Sequence, residues 1–194
     1  MKNRSLIICG IIVAVLAFWG IGKYNAMAMA QENVEKSWAD VETQYQRRSD
    51  LVPNLVNTVK GYAEHEKSTL EAVVNARTKA TQMTIDPSNA TPEQIAAYQQ
   101  AQGELGQALG RLIAITENYP DLKANTNFQE LMSQLEGTEN RIAVARSKFN
   151  DEARGFNKLI VVFPGNIVAK FAGFEKKNYF EAEAGAKEAP KVEF

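Results

Sequence analysis

The sequence predicts an all-α protein, with an N-terminal transmembrane helix followed by a bundle of long antiparallel helices. An uncharged apolar run occupies residues 6–22. Beyond it, apolar residues recur at intervals of three and four, which is the periodicity of a helix. No segment alternates apolar and polar residues between hairpin turns, as a sheet would require. We therefore expect three long helices and a short C-terminal helix.

The apolar run is the predicted anchor, within a segment that ends at residue 23. As a helix, residues 6–22 span about 25 Å. A hydrocarbon core of about 30 Å is matched if Lys23 extends to the headgroups and Tyr24 lies at the interface. The side chains assigned to the membrane are Leu6, Ile12, Val15, Phe18 and Trp19.

A cleaved secretory signal is the alternative, because residues 26–30 (AMAMA) offer small-residue cleavage sites. Lys23 follows the run directly and helix-forming sequence continues beyond it, which favours a retained, single-pass anchor. For orientation, Lys2 and Arg4 stand against Lys23 and Lys36. This balance slightly favours a cytoplasmic N-terminus and a domain outside the bacterial inner membrane.

The first helix after the anchor carries a seam of apolar residues at heptad spacing, typical of a coiled coil or bundle. Its members are Val34, Trp38, Val41, Tyr45, Val52, Leu55, Val59 and Tyr62. Pro53 lies within the seam and removes one backbone donor. Because the seam keeps its phase, we expect a kink rather than a turn there. The helix should end near Met83, before a turn at residues 86–89.

Two later helices have marked starts. Residues 91–94 (TPEQ) form a capping box with proline at the first helical position, and residues 126–129 (TNFQ) repeat the box. The first of these helices should stop at residues 118–120 (NYP), and the second at residues 163–165 (FPG). The bundle domain is predicted to cover residues 24–180, with an exposed tail at 181–194.

Distinctive short stretches follow one another along nearly the whole chain. They include Trp38-Ala39-Asp40-Val41, Arg47-Arg48-Ser49-Asp50-Leu51-Val52-Pro53-Asn54-Leu55-Val56, Ala76-Arg77, Tyr119-Pro120-Asp121-Leu122-Lys123, Phe163-Pro164 and Ala189-Pro190-Lys191-Val192-Glu193-Phe194. In these stretches the chain resembles the LemA family of membrane-anchored helical proteins of bacteria. The resemblance implies an N-terminal transmembrane helix and a four-helix soluble domain. It implies no catalytic residues.

The residues themselves also point away from an enzyme. His65 is the only histidine, and the only cysteine, Cys9, lies in the apolar run. Ser68 and Thr69 stand where a metal site on this helix would need further ligands, so His65 is interpreted as solvated. We expect no catalytic residue, cofactor, metal or small-molecule substrate. The net charge of −1 gives no general attraction to nucleic acid.

Two clusters are candidate binding sites. Arg47, Arg48 and Asp50 either bind an anionic ligand or partner, or contain a buried interruption of the seam that pairs with a carboxylate on a neighbouring helix. We prefer the second interpretation. The other cluster is the C-terminal segment, with Ile167, Val168, Phe171, Phe174, Lys170, Lys176 and Lys177. We prefer a cap docked on the bundle over an interfacial membrane helix.

Helix lengths lead to a functional hypothesis. A helix from residue 24 to residue 83 would span about 90 Å, longer than the two later helices. Its membrane-proximal stripe would then lack a partner within the chain, and residues 165–177 would lie at the distal end. The stripe consists of Val34, Trp38, Val41 and Tyr45. We therefore expect a homo-oligomer acting as a non-enzymatic scaffold that self-associates or recruits an unknown protein partner. The alternative is an oligomeric membrane-remodelling protein.

Overall fold

The computed structural model describes residues 2–87 and 89–181. This part of the chain contains six α-helices and no strand, which confirms the predicted all-α class. The helices are α1 (Lys2–Lys60), α2 (Lys67–Gln82), α3 (Pro92–Thr116), α4 (Pro120–Lys123), α5 (Thr126–Val161) and α6 (Gly165–Ala172), with a 3-10 turn at Glu64–Glu66. The predicted tail lies outside the described residues from residue 182 onward.

Helix α1 continues through Pro53, as the in-phase seam predicts. Proline at this position cannot donate to the carbonyl of Ser49, four residues earlier. That carbonyl instead accepts a hydrogen bond from Nε of Arg77 on α2, at 2.8 Å. A side chain from the neighbouring helix thus satisfies the acceptor that the proline leaves open.

The predicted end of the first helix near Met83 is wrong. Helix α1 ends at Lys60, where the backbone N–H groups of Tyr62 and Ala63 both donate to the carbonyl of Val59. After the 3-10 turn, α2 folds back along α1, as the bond from Arg77 to Ser49 shows. The described residues therefore form four main helices, where helical periodicity predicted three and the family resemblance implied four.

The start of α3 is confirmed, whereas that of α5 differs by one residue. The Thr91 hydroxyl accepts from the backbone of Gln94 at 3.3 Å, and the Gln94 side chain accepts from the Thr91 backbone at 2.9 Å. At α5 the cap is Asn125, whose side chain accepts from the backbone of Phe128 at 3.0 Å. The predicted box at residues 126–129 is therefore wrong in detail.

The described chain divides into two compact units, and α1 and α5 contribute to both. Unit 1 comprises residues 2–44, 86–87, 89 and 142–177. Unit 2 comprises residues 45–85, 90–141 and 178–181. Its core is an apolar cluster contributed by α1 to α5: Val52, Leu55, Val59, Ala63, Leu70, Val73, Ala80, Leu105, Ala108, Leu109, Leu112, Leu122, Phe128 and Leu135.

In unit 1 the membrane-proximal stripe is buried within the chain. Trp38 is only 2% exposed and packs edge-on against Phe149 of α5, with ring centroids 5.3 Å apart. Asp40 accepts a hydrogen bond from Lys148 at 2.9 Å. Val34 and Val41 are also buried. In these contacts α5 runs antiparallel to α1.

The expectation that this stripe lacks an intrachain partner is therefore wrong. Its remaining member, Tyr45, belongs to unit 2, where its ring packs on Tyr98 at 5.7 Å. The reason is the reversal between α1 and α2. Because one more helix turns back, α5 returns along α1, and it covers the part of the stripe that lies in unit 1. The argument for a homo-oligomer through this stripe no longer holds.

Candidate functional site

The anchor segment of α1 is uncovered along its length. Helix α1 contains a stretch long and apolar enough to cross a membrane, and none of that stretch is buried in the described structure. Lys23 lies over the ring of Trp19, 6.0 Å from its centroid. The assigned membrane residues Leu6, Ile12, Val15, Phe18 and Trp19 all expose their side chains.

The C-terminal segment lies beside the end of this anchor, so its predicted distal position is wrong. The ring of Phe174 packs on Tyr24 at 5.7 Å and on Phe156 at 5.9 Å. Helix α6 begins so close to α5 that a Cβ atom added to Gly165 would lie 2.7 Å from the carbonyl oxygen of Leu159. The same Cβ atom would lie 3.1 Å from the Met27 side chain. Only glycine permits this approach.

Two of the seven predicted residues of this segment, Phe174 and Lys177, hold it in place within unit 1. The Asn157 amide donates to the carbonyl of Lys177 and accepts from its N–H, both at 2.8 Å. The Lys177 ammonium lies 5.5 Å from the centre of the Phe156 ring. Burial lowers the pKa of Lys177, an effect that nearby carboxylates, Glu35 first among them, oppose. Phe174 and Lys177 are therefore packed within unit 1.

The outer side of α6 has a different character. Ile167, Phe171, Lys170 and Lys176 are exposed, and Val168 is half-buried. Phe171 is 90% exposed, the highest value among the exposed large apolar residues of the described chain. Gly165 and Ala169 face inward instead. The helix therefore presents its large apolar side chains outward and its small ones to the protein.

Phe163 belongs with this exposed surface, although sequence reasoning missed it. It is 75% exposed, and Val161 and Val162 before it are exposed as well. In the sequence, Phe163 is interpreted only as part of the signal that ends the preceding helix. The run of five apolar residues directly before proline, residues 159–163, is the available sign of an exposed apolar turn.

In unit 2 the Arg48 side chain is 3% exposed and held on several sides. Its guanidinium donates to Glu139 at 3.1 Å, and to the backbone and side-chain oxygens of Gln102 at 3.0 and 2.7 Å. It also lies over the Tyr45 ring, 5.1 Å from the centroid. The interpretation of Arg48 as a buried interruption paired with a carboxylate is confirmed. Its two terminal nitrogens are engaged in these bonds, whereas its buried Nε makes no hydrogen bond.

The other members of the first cluster do not join Arg48. Arg47 is exposed, and Asp50 is exposed and accepts from Gln46 at 2.7 Å. His65 is exposed in the 3-10 turn. The described residues include no group of three His, Cys, Asp or Glu side chains able to hold a metal ion.

A groove of about 340 Å³ lies between α2 and α3 in unit 2. Its lining consists of Ala72, Asn75, Ala76, Lys79, Glu104, Gln107, Ala108 and Arg111. The charges of Lys79 and Glu104 are already paired at 2.7 Å. This bond holds the pKa of the Glu104 carboxyl below its ordinary value.

A comparison with protein families decides where the chain belongs. The sequence model of the LemA family matches residues 37–194. The chain belongs to the LemA family. The match covers both Trp38 and the Arg48 network, so these two sets of buried contacts lie within the part of the chain that the family model describes.

Relatives of the chain agree with this assignment. Magnetosome protein MamQ of Magnetospirillum gryphiswaldense is 30% identical, over 84% of this chain and 66% of its own length. Magnetosome protein MamQ 2 of Paramagnetospirillum magneticum is 28% identical, over 88% of this chain and 70% of its own length. Protein LemA of Metamycoplasma hominis is 22% identical, over 81% and 68%. LemA membership and the N-terminal apolar helix together indicate a membrane-anchored bacterial protein.

Proposed function

We propose that this LemA protein is a single-pass scaffold of the bacterial inner membrane that holds a protein-binding surface near the bilayer and catalyses no reaction. The observation that carries the proposal is that distinctive residues of the chain are buried between helices. Trp38 and Arg48, from the sequence stretches that most resemble the family, are buried in helix packing. Side chains used in this way stabilise the packing of the helices.

The continuity of α1 supports the same proposal. One helix contains both the anchor and the first part of the bundle, from Lys2 to Lys60. No loop separates the membrane segment from the domain, so the bilayer itself sets the position of the helical surface. The charges of Lys2 and Arg4 favour an arrangement with the N-terminus in the cytoplasm and the domain outside.

Site-specific photo-crosslinking in native membranes tests the scaffold. A photoreactive residue replaces Val74 on α2 or Val144 on α5, both exposed, in the full-length protein. We expect adducts heavier than the chain whose yield depends on the position, formed with a second copy or with another protein. Buried Val73, next to Val74, is the matched control and should give none. If no exposed position gives an adduct above this control, the scaffold proposal fails.

Membrane remodelling is a second candidate. Two of the relatives are named magnetosome proteins, and the exposed apolar residues of α6 lie beside exposed lysines. Full-length protein added to liposomes at increasing protein-to-lipid ratio distinguishes the two functions. Tubulation would favour remodelling. Vesicles that keep their shape while the protein inserts would favour the scaffold.

A further inference from the structure

The outer side of α6 and the turn before it form one exposed apolar surface, which we call the α6 face. It consists of Val162, Phe163, Ile167 and Phe171. Ile167 and Phe171 are four residues apart and therefore share one side of the helix. Large apolar side chains grouped on an exposed surface mark a site that another apolar phase or molecule covers.

The position of the α6 face identifies what covers it. In unit 1, α6 begins against Met27, and Phe174 just beyond α6 packs on Tyr24. Met27 is five residues past the end of the apolar run at Gly22, or about 7 Å along the helix axis. The interfacial layer on each side of the hydrocarbon core is about 5–8 Å thick. The face thus lies at the depth of the lipid headgroups whenever the anchor spans the bilayer.

The charges around the face match a lipid surface. Lys158, Lys170 and Lys176 are exposed in this part of the chain, opposed by the exposed Glu175. The whole chain, by contrast, carries a net charge of −1. Lysines that border an outward apolar face are typical of helices that lie in the interface of anionic membranes.

We propose that the α6 face inserts into the headgroup region of the bilayer that holds the α1 anchor, giving the protein a second contact with the same membrane. This inference rests on the membrane anchor of the proposed function. It adds that the α6 face binds a layer of anionic phospholipid. Two contacts with one bilayer restrict the tilt of α1, and so fix the orientation of unit 1 against the membrane.

Spin labels on the full-length protein, in nanodiscs of phosphatidylcholine and phosphatidylglycerol, test the insertion. The label is attached to native Cys9 in one sample. In the others, Cys9→Ala is combined with Phe171→Cys, Ile167→Cys or Val144→Cys. Collision rates with oxygen, which enters lipid, are compared with those of a water-soluble nickel chelate. Val144 is the matched control, because it is apolar and 62% exposed but lies on α5 at the end of unit 1 that is remote from the anchor.

We expect an oxygen-to-nickel ratio at positions 171 and 167 that is several-fold above that at position 144. Position 9 should give a high ratio as well. A high ratio at position 9 with water-like values at 171 and 167 overturns this inference alone. A water-like value at position 9 overturns the anchor, and the proposed function with it. Spin–spin coupling between copies at position 171 would mean that a second chain covers the face, which also contradicts the inference.

Charge reversal gives an independent measurement. Lys170→Glu together with Lys176→Glu should reduce the oxygen-to-nickel ratio at position 171 in anionic nanodiscs, because the carboxylates introduced there repel the lipid phosphates. Lys67→Glu, at an exposed position on α2, is the control and should leave the ratio unchanged. Equal effects of the two changes would contradict a specific contact between the α6 face and anionic lipid.

Discussion

Trp38→Ala is expected to lower the free energy of unfolding by about 4 kcal/mol, the range found when a large buried aromatic side chain is removed. The indole is 2% exposed and packs edge-on against Phe149. Its removal leaves a cavity between α1 and α5 and ends a ring contact that adds about 1 kcal/mol. Chemical denaturation of the full-length protein in detergent micelles, followed by circular dichroism, measures the change.

The control for this substitution is Val144→Ala. Val144 is exposed on α5, so its truncation should change stability by less than about 0.5 kcal/mol. The loss caused by Trp38→Ala should also be independent of protein concentration, because the indole packs within one chain. If Trp38→Ala instead left stability unchanged and dissociated an oligomer, Trp38 would lie between subunits and the described packing would be contradicted.

Arg48→Ala is expected to cost about 3 kcal/mol. Loss of one partner of a buried ion pair leaves the other without compensation and typically costs ~3–5 kcal/mol. Here Glu139 keeps 44% of its side-chain exposure and can be partly solvated, which places the effect at the lower end. The Gln102 side-chain oxygen, which accepts from Arg48 at 2.7 Å, also loses a donor in a buried setting.

The adjacent Arg47 provides a matched control, because it is exposed and differs from Arg48 only in its environment. Arg47→Ala should change stability by no more than about 0.5 kcal/mol. Arg48→Lys should recover only part of the loss, since an ammonium cannot reproduce the planar fork that reaches Gln102 and Glu139 together. Equal losses for Arg47→Ala and Arg48→Ala would contradict the buried network.

Much of the fold was predictable from local patterns. The three-and-four spacing identified the buried faces of α3 and α5, and the Thr91 capping box located the start of α3. The interruption of the seam by a charged residue was enough to predict that Arg48 pairs with a carboxylate on another helix. These features depend on residues close together in the sequence, where periodicity and hydrogen-bonding chemistry act directly.

The reversal after Lys60 was not predictable in the same way. Gly61 marks it, while the apolar spacing of the seam runs past the end of α1 as far as Tyr62. Pro53 was the more conspicuous residue, yet α1 passes through it because Arg77 supplies the missing donor to Ser49. Both features depend on contacts between helices: the Arg77 side chain bonds the carbonyl that Pro53 leaves open, and α2 packs back on α1. Heptad spacing alone does not reveal such contacts.

One missed reversal led to the argument for a homo-oligomer and to the wrong position of the C-terminal segment. With three main helices the last one would end away from the membrane, whereas with four it ends beside the anchor. The C-terminal segment was therefore expected at the distal end, and the stripe around Trp38 was expected to be bare. In the structure the segment lies beside Tyr24, and Phe149 of α5 covers Trp38.

Crosslinking in native membranes measures whether the C-terminal segment lies beside the anchor. Full-length protein with Cys9→Ala, Tyr24→Cys and Phe174→Cys is treated with a short bifunctional maleimide. The control replaces Phe174→Cys with Val144→Cys. Val144 lies five residues before Phe149, the partner of Trp38. It is therefore about 28 Å from Tyr24 along the helix axis.

We predict an efficient crosslink within one chain between positions 24 and 174, and none between 24 and 144. The absence of the 24–174 crosslink, or its formation only between two chains, would contradict a C-terminal segment that packs beside the anchor of its own chain.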